Sequence, residues 1–152
     1  MKIQTPALFL AAVSLATALH AKHGTEPLPF KMELLIDGKP ADAVKAGAPA
    51  DWTIGWLDEK GADIAAFEPE HEKMMHLIVV NEDLTRVAHL HPALGPDGLF
   101  RIRVNAASDD PDNADAGAAL SEPGRYFVWA ETLPKGKNRR TGLAKLELSQ
   151  GE

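Results

Sequence analysis

Apolar residues in this chain recur at every second position, in short runs cut off by turn residues. That period is the mark of a half-buried β-strand. Phe30, Met32, Leu34 and Ile36 alternate with Lys31, Glu33 and Asp37, interrupted by Leu35, and Asp37-Gly38-Lys39-Pro40 follows as a turn. Trp52, Ile54 and Trp56 share one face of a second strand, closed by Asp58-Glu59-Lys60-Gly61. Residues 64–67 predict a short strand, residues 75–80 a central one, and residues 84–91 an extended segment ended by His91-Pro92. Gly98 opens a strand at 99–104, and further strands are expected at 125–131 and 143–148. The acidic, Ala-rich stretch 105–123 reads as a loop. No long amphipathic helix and no internal repeat interrupt the pattern. Seven or eight short strands with such turns predict an all-β fold, an immunoglobulin-like antiparallel two-sheet sandwich, with a small barrel as the alternative.

The N-terminus has a different character. Lys2 precedes a nearly unbroken apolar run over residues 3–19, too short and too weakly flanked for a membrane anchor. Small residues follow. Ala16-Thr17-Ala18 would place cleavage before Leu19, and Leu19-His20-Ala21 before Lys22. Residues 1–21 therefore read as a secretory signal peptide, 22–29 as a flexible lead-in and 30–149 as one domain, which predicts a periplasmic or secreted protein. About 130 mature residues suffice for one core and not for two. The chain has no cysteine, so packing alone must stabilise it and no thiolate can act as a ligand or nucleophile. A formal net charge of −6 argues against nucleic acid and anionic membrane surfaces as partners. After the signal, no apolar segment is long enough to span a bilayer.

Histidine carries the chemical information. Of six in the chain, His20 and His23 lie at or near the signal junction, while His71, His76, His89 and His91 fall within 21 positions. Met74, Met75, Glu70, Glu72, Glu82 and Asp83 share that window. Imidazole with thioether suits copper, especially Cu(I), and imidazole with carboxylate suits Zn(II) or Cu(II). In an extended strand His89 and His91 project to one face as a chelating pair. His76 shares a face with Ile78 and Val80, and Met75 the opposite one with Leu77 and Val79. Residues 81–84 are short enough to reverse the chain and bring His76 beside the pair, with His71 arriving from the preceding loop. The expected site is one copper ion, with zinc as the alternative, held by His76, His89 and His91 with Met75 or His71 completing the set. Glu72 and Asp83 are expected to orient an imidazole by accepting its remaining N–H. The competing reading makes each histidine a hydrogen-bonded polar tip at a sheet edge.

Other motifs are weaker. Asp109, Asp110, Asp112 and Asp115 miss the spacing of a calcium loop, since position 114 is Ala114. Lys135, Lys137, Arg139 and Arg140 read as a hairpin loop distant from the histidines. His71-Glu72 lacks the second histidine of a zinc-protease helix, because position 75 is Met75. No P-loop, nucleophile elbow or dinucleotide fingerprint occurs.

The stretch 71–92, HEKMMHLIVVNEDLTRVAHLHP, resembles the pattern HEKxMHxxVVxxDLxxFxHxHP of small exported bacterial proteins of the YtkA-like kind. The matching positions are His71, Glu72, Lys73, Met75, His76, Val79, Val80, Asp83, Leu84, His89, His91 and Pro92. Residues 97–100 and Pro123-Gly124-Arg125-Tyr126 resemble that family's DGxF and PGxY strand starts. Val87 departs from the pattern, which has Phe there. The resemblance implies an immunoglobulin-type sandwich, export, and an association with copper or other heavy metals.

Three function classes remain. The first is an exported metal-binding module in metal homeostasis or resistance, whose partners are the metal ion and an exported or membrane protein. The second is a non-catalytic interaction domain in which the histidine segment is structural. The third, a metal-dependent enzyme, has least support, because no general base or nucleophile stands beside the cluster.

Overall fold

The period-two pattern is realised as alternating burial along two packed sheets. The computed structural model describes residues 31–41 and 44–150. The expected signal peptide and lead-in, with His20 and His23, lie outside the described residues. In chain order the strands are β1 (Lys31–Ile36), β2 (Lys39–Pro40), β3 (Val44–Lys45), β4 (Ala50–Leu57), β5 (Phe67–Glu68), β6 (Met75–Asn81), β7 (Val87–Leu90), β8 (Ala93–Leu94), β9 (Phe100–Val104), β10 (Gly124–Pro134) and β11 (Arg140–Ser149). Seven of these have four residues or more and four have two, so the expected count is met by the longer strands.

One sheet has the order β2-β1-β4-β9-β8 and the other β3-β11-β10-β6-β7, with β5 paired to the end of β10. Every pairing is antiparallel except β3 with β11, which is parallel. The expected antiparallel sandwich is present, with this one parallel pair where the chain crosses from the first sheet to the second after β2. This division, with the last two long strands beside β6 and β7, is that of an immunoglobulin-like sandwich. A second mark of that fold is present. Tyr126, at the start of the penultimate long strand, donates its hydroxyl to the Glu122 carbonyl at 3.1 Å, the geometry of a tyrosine corner.

The core lies between the sheets. Trp52, Ile54 and Trp56 from β4 face Leu77 and Val79 from β6 and Tyr126, Val128 and Ala130 from β10, all buried. Each such large side chain contributes roughly 1.5–3 kcal/mol by leaving water. This compensates for the lack of a disulfide.

Three sequence expectations change. Of the strand expected at 64–67 only Phe67 lies in one, the two-residue β5. The stretch 84–91 is strand only from Val87, because residues 82–86 form the turn into β7. The stretch 105–123 is no simple loop: Pro111–Ala118 forms a 3-10 helix with Asp110 as its N-cap. Ala116, Ala119 and Leu120 recur at helical spacing and are buried in the core, a period hidden by the aspartates around them. Asn105, at φ 54°, ties this segment down: its Nδ2 donates to the carbonyls of Ala48 and Leu120. Among the described residues no helix is long and apolar enough to cross a membrane.

Candidate metal centre

The β6–β7 hairpin sets the positions of three histidines. Its register pairs Leu77 with Leu90, Ile78 with His89, Val79 with Ala88 and Val80 with Val87. Leu77, Val79, Ala88 and Leu90 fill the inward face, so His76 and His89 point outward. His91 follows β7 by one residue and by the same register lies level with His76. Ring centroids are 5.3 Å apart for His76 and His89, 5.1 Å for His76 and His91, and 4.7 Å for His89 and His91. One nitrogen from each ring lies within 4.8 Å of the other two.

Hydrogen bonds decide which nitrogen each ring offers. His76 Nε2 lies 3.0 Å from the Glu70 carbonyl, which can only accept, so Nε2 carries the proton and Nδ1 keeps its lone pair. His91 Nδ1 donates to the Asp112 carbonyl at 2.9 Å, which frees Nε2. Backbone carbonyls fixing the outer N–H of an imidazole are the usual support of a metal-ligating histidine. His89 Nε2 sits 3.1 Å from His76 Nδ1 and donates to it when no metal is bound. Bonds of 2.0–2.1 Å in a tetrahedral shell need nitrogen separations of about 3.3 Å, so this pair is already close to ligating distance. His89 titrates below the ordinary imidazole value: partial burial disfavours its cation first, then the charges of His91 and His76, against an opposing pull from Asp115.

A side chain missed in the sequence holds His91 in place. Asn113, buried in the 3-10 helix, accepts from the His91 N–H at 2.7 Å and donates to the His91 carbonyl at 3.3 Å. It therefore pairs with the His91 peptide as a neighbouring strand would. Its Nδ2 also donates to Asp110 at 2.8 Å, and that contact holds the Asp110 carboxyl below its ordinary range. The Asp110-Pro111 pair, a helix-start signal, was the available clue.

The remaining expected ligands separate. Met75 is corrected: it is 1% exposed in the core, on the face of β6 opposite His76, because one residue along a strand reverses the side chain. Asp83 is corrected as well. It lies in the turn at the far end of the hairpin, which begins about 10 Å along the strand from His89's level, and there it accepts from Thr85 N and Oγ1 at 3.0 and 2.6 Å. Glu72 is exposed and lies outside the three-histidine group. His71 is next to the group without joining it, its ring edge-on to His76 at 6.3 Å.

His71 and Glu72 form the centre of a tight turn. Glu70 and Lys73 exchange backbone hydrogen bonds of 2.8 and 3.2 Å around them, and their φ angles are 50° and 72°. Left-handed backbone at both central positions favours Asn-Gly, and for other residues costs roughly 1–2 kcal/mol each. The basic loop is not remote from this turn, contrary to the sequence expectation: Arg139 pairs with the Glu70 carboxylate. The β10–β11 hairpin reaches the site because β10 continues past β6 to pair with β5.

A family model described as a domain of unknown function (DUF8832) matches residues 35–144. No curated protein matches. Among solved structures, the chain is similar to dimeric latent PorU from Porphyromonas gingivalis, at 13% identity and a TM-score of 0.44. That match covers 82% of this chain and 13% of the other, so the chain spans a small part of that protein's length.

Proposed function

We propose that this chain, which belongs to the DUF8832 family, is an exported metal-binding module that holds one metal ion on His76, His89 and His91. The observation that carries the reading is the convergence of three ring nitrogens while the carbonyls of Glu70 and Asp112 hold the outer N–H of two rings. Copper is the proposed metal and zinc the alternative. Imidazole suits both, and among divalent ions such a site binds Cu(II) more tightly than Zn(II). With Met75 in the core, the three-nitrogen set matches Cu(II) better than Cu(I), which favours sulfur. The resemblance of residues 71–92 to YtkA-like proteins supports both export and heavy-metal handling, and Lys2 with the apolar run behind it supports export.

A second reading has its own observation. The three rings are already hydrogen-bonded to one another or to carbonyls without a metal, as in an interaction domain with a structural histidine corner. Melting curves of the mature domain with and without Cu(II), Cu(I) and Zn(II) separate the two. Binding raises stability by RT ln(1 + [L]/Kd), about 2.7 kcal/mol at a hundredfold excess over Kd. The double variant His89→Ala/His91→Ala is expected to lose the whole shift. A wild-type domain with no shift for any of these ions refutes metal binding and leaves the interaction domain. Export is tested by the intact mass of protein from its native host, expected to start between Leu19 and Lys22; a product beginning at Met1 refutes it.

A further inference from the structure

The 70–73 turn is tied to the rest of the molecule at both ends, and by the residues that serve the histidines. At one end Glu70 pairs through its carboxylate with Arg139, from the β10–β11 loop, while its backbone carbonyl accepts from His76 Nε2. At the other end Lys73 pairs with the Asp112 carboxylate of the 3-10 helix, while the Asp112 carbonyl accepts from His91 Nδ1. Glu70 and Lys73 are also bridged to each other across the turn. Three separate parts of the chain thus meet in one connected path: loop, turn and helix, with a ring acceptor at two of its nodes. The turn between them holds two non-glycine residues in left-handed backbone, a conformation that persists only where surrounding contacts impose it.

We propose that these two ion pairs form an ionic latch that sets the metal affinity of the three-histidine site. Arg139 and Lys73 are positioning residues: their hydrogen bonds go to carboxylates and not to a ring, and they act by holding Glu70 and Asp112 where the two carbonyls meet His76 and His91. With the latch closed, both rings are presented in the ligating tautomer before metal arrives. With it open, the turn relaxes, the carbonyls withdraw and each ring must be ordered by the metal itself. Both pairs are partly exposed to solvent, so dissolved salt weakens them and the affinity becomes sensitive to ionic strength.

This inference rests on the metal-binding reading, and the experiment separates the two. Cu(II) affinity is measured by competition with a chelator for the wild-type domain, for Lys73→Ala/Arg139→Ala, and for the swap Glu70→Arg/Arg139→Glu, each at low and high salt. Electron paramagnetic resonance of each copper-loaded sample reports the ligand field. The double variant is expected to bind about 3- to 10-fold more weakly, because both carbonyl acceptors remain and two partly exposed ion pairs each contribute little. Its copper spectrum broadens, and its salt dependence shrinks below that of the wild type. The swap leaves the Lys73–Asp112 pair intact, keeps the backbone carbonyl at position 70 and rebuilds the other pair with reversed charge, so it holds the wild-type affinity and spectrum; a swap as weak as the double variant overturns the latch. Melting without metal confirms that every variant is folded. A folded double variant with wild-type affinity and spectrum overturns the latch while leaving the site intact. A wild-type domain that binds neither copper nor zinc overturns the site and the latch together.

Discussion

Replacing Asn113 tests whether the 3-10 helix holds His91. The alanine variant removes three hydrogen bonds: the one accepted from His91 N–H at 2.7 Å, and those donated to the His91 carbonyl at 3.3 Å and to Asp110 at 2.8 Å. A typical hydrogen bond contributes about 0.5–1.5 kcal/mol net, and a buried group left unpaired costs about 1–3 kcal/mol. The His91 peptide is half-buried, so water recovers part of the loss, and the expected destabilisation is about 2 kcal/mol. With a urea dependence of roughly 1–3 kcal/mol per molar, the unfolding midpoint falls by about 1 M with an unchanged slope. The same variant is expected to weaken copper binding by about 10-fold, because the His91 backbone is no longer held where its ring meets the Asp112 carbonyl. Asn113→Asp separates shape from charge. It keeps an acceptor for the His91 N–H but puts a second carboxylate beside Asp110, so one of the pair is pushed to a higher pKa. That variant regains stability as the pH falls toward 4, whereas the alanine variant does not. An alanine variant with the wild-type midpoint and copper affinity refutes the argument that Asn113 acts as a strand partner for His91.

Two further predictions follow from the site geometry. Met75→Leu conserves volume at a buried position facing away from His76, so it is expected to cost less than about 1.5 kcal/mol and to leave copper affinity unchanged; a large loss of affinity, measured by the same chelator competition, would return Met75 to the ligand set. His89 is held below its ordinary pKa by burial and by His91 and His76, with Asp115 opposing. The unfolded chain therefore takes up that proton first as the pH falls, and the metal-free domain should lose stability below about pH 6.5, with no contribution from this group above it. Melting temperatures that rise on acidification through that window in metal-free buffer contradict the assignment.

The sandwich was legible in the sequence because strand formation leaves a local trace. Trp52, Ile54 and Trp56, or Tyr126 and Val128, alternate with polar or half-buried neighbours wherever one face meets the core. The same period put His89 and His91 on one face, and the short turn after Asn81 brought His76 to them. It also placed Met75 on the opposite face from His76, so its inclusion with the ligands came from metal preference, against the strand geometry. Other features left no local trace. The acceptors for His76 and His91 are backbone carbonyls, of Glu70 and Asp112, which every residue type possesses. Arg139 lies 69 positions from Glu70, and Lys73 lies 39 from Asp112. Asn113 reaches His91 across 22. Local periodicity determines which way a side chain faces within its own strand. Which loop then closes over that face depends on the packing of the two sheets, and only the tertiary structure decides it.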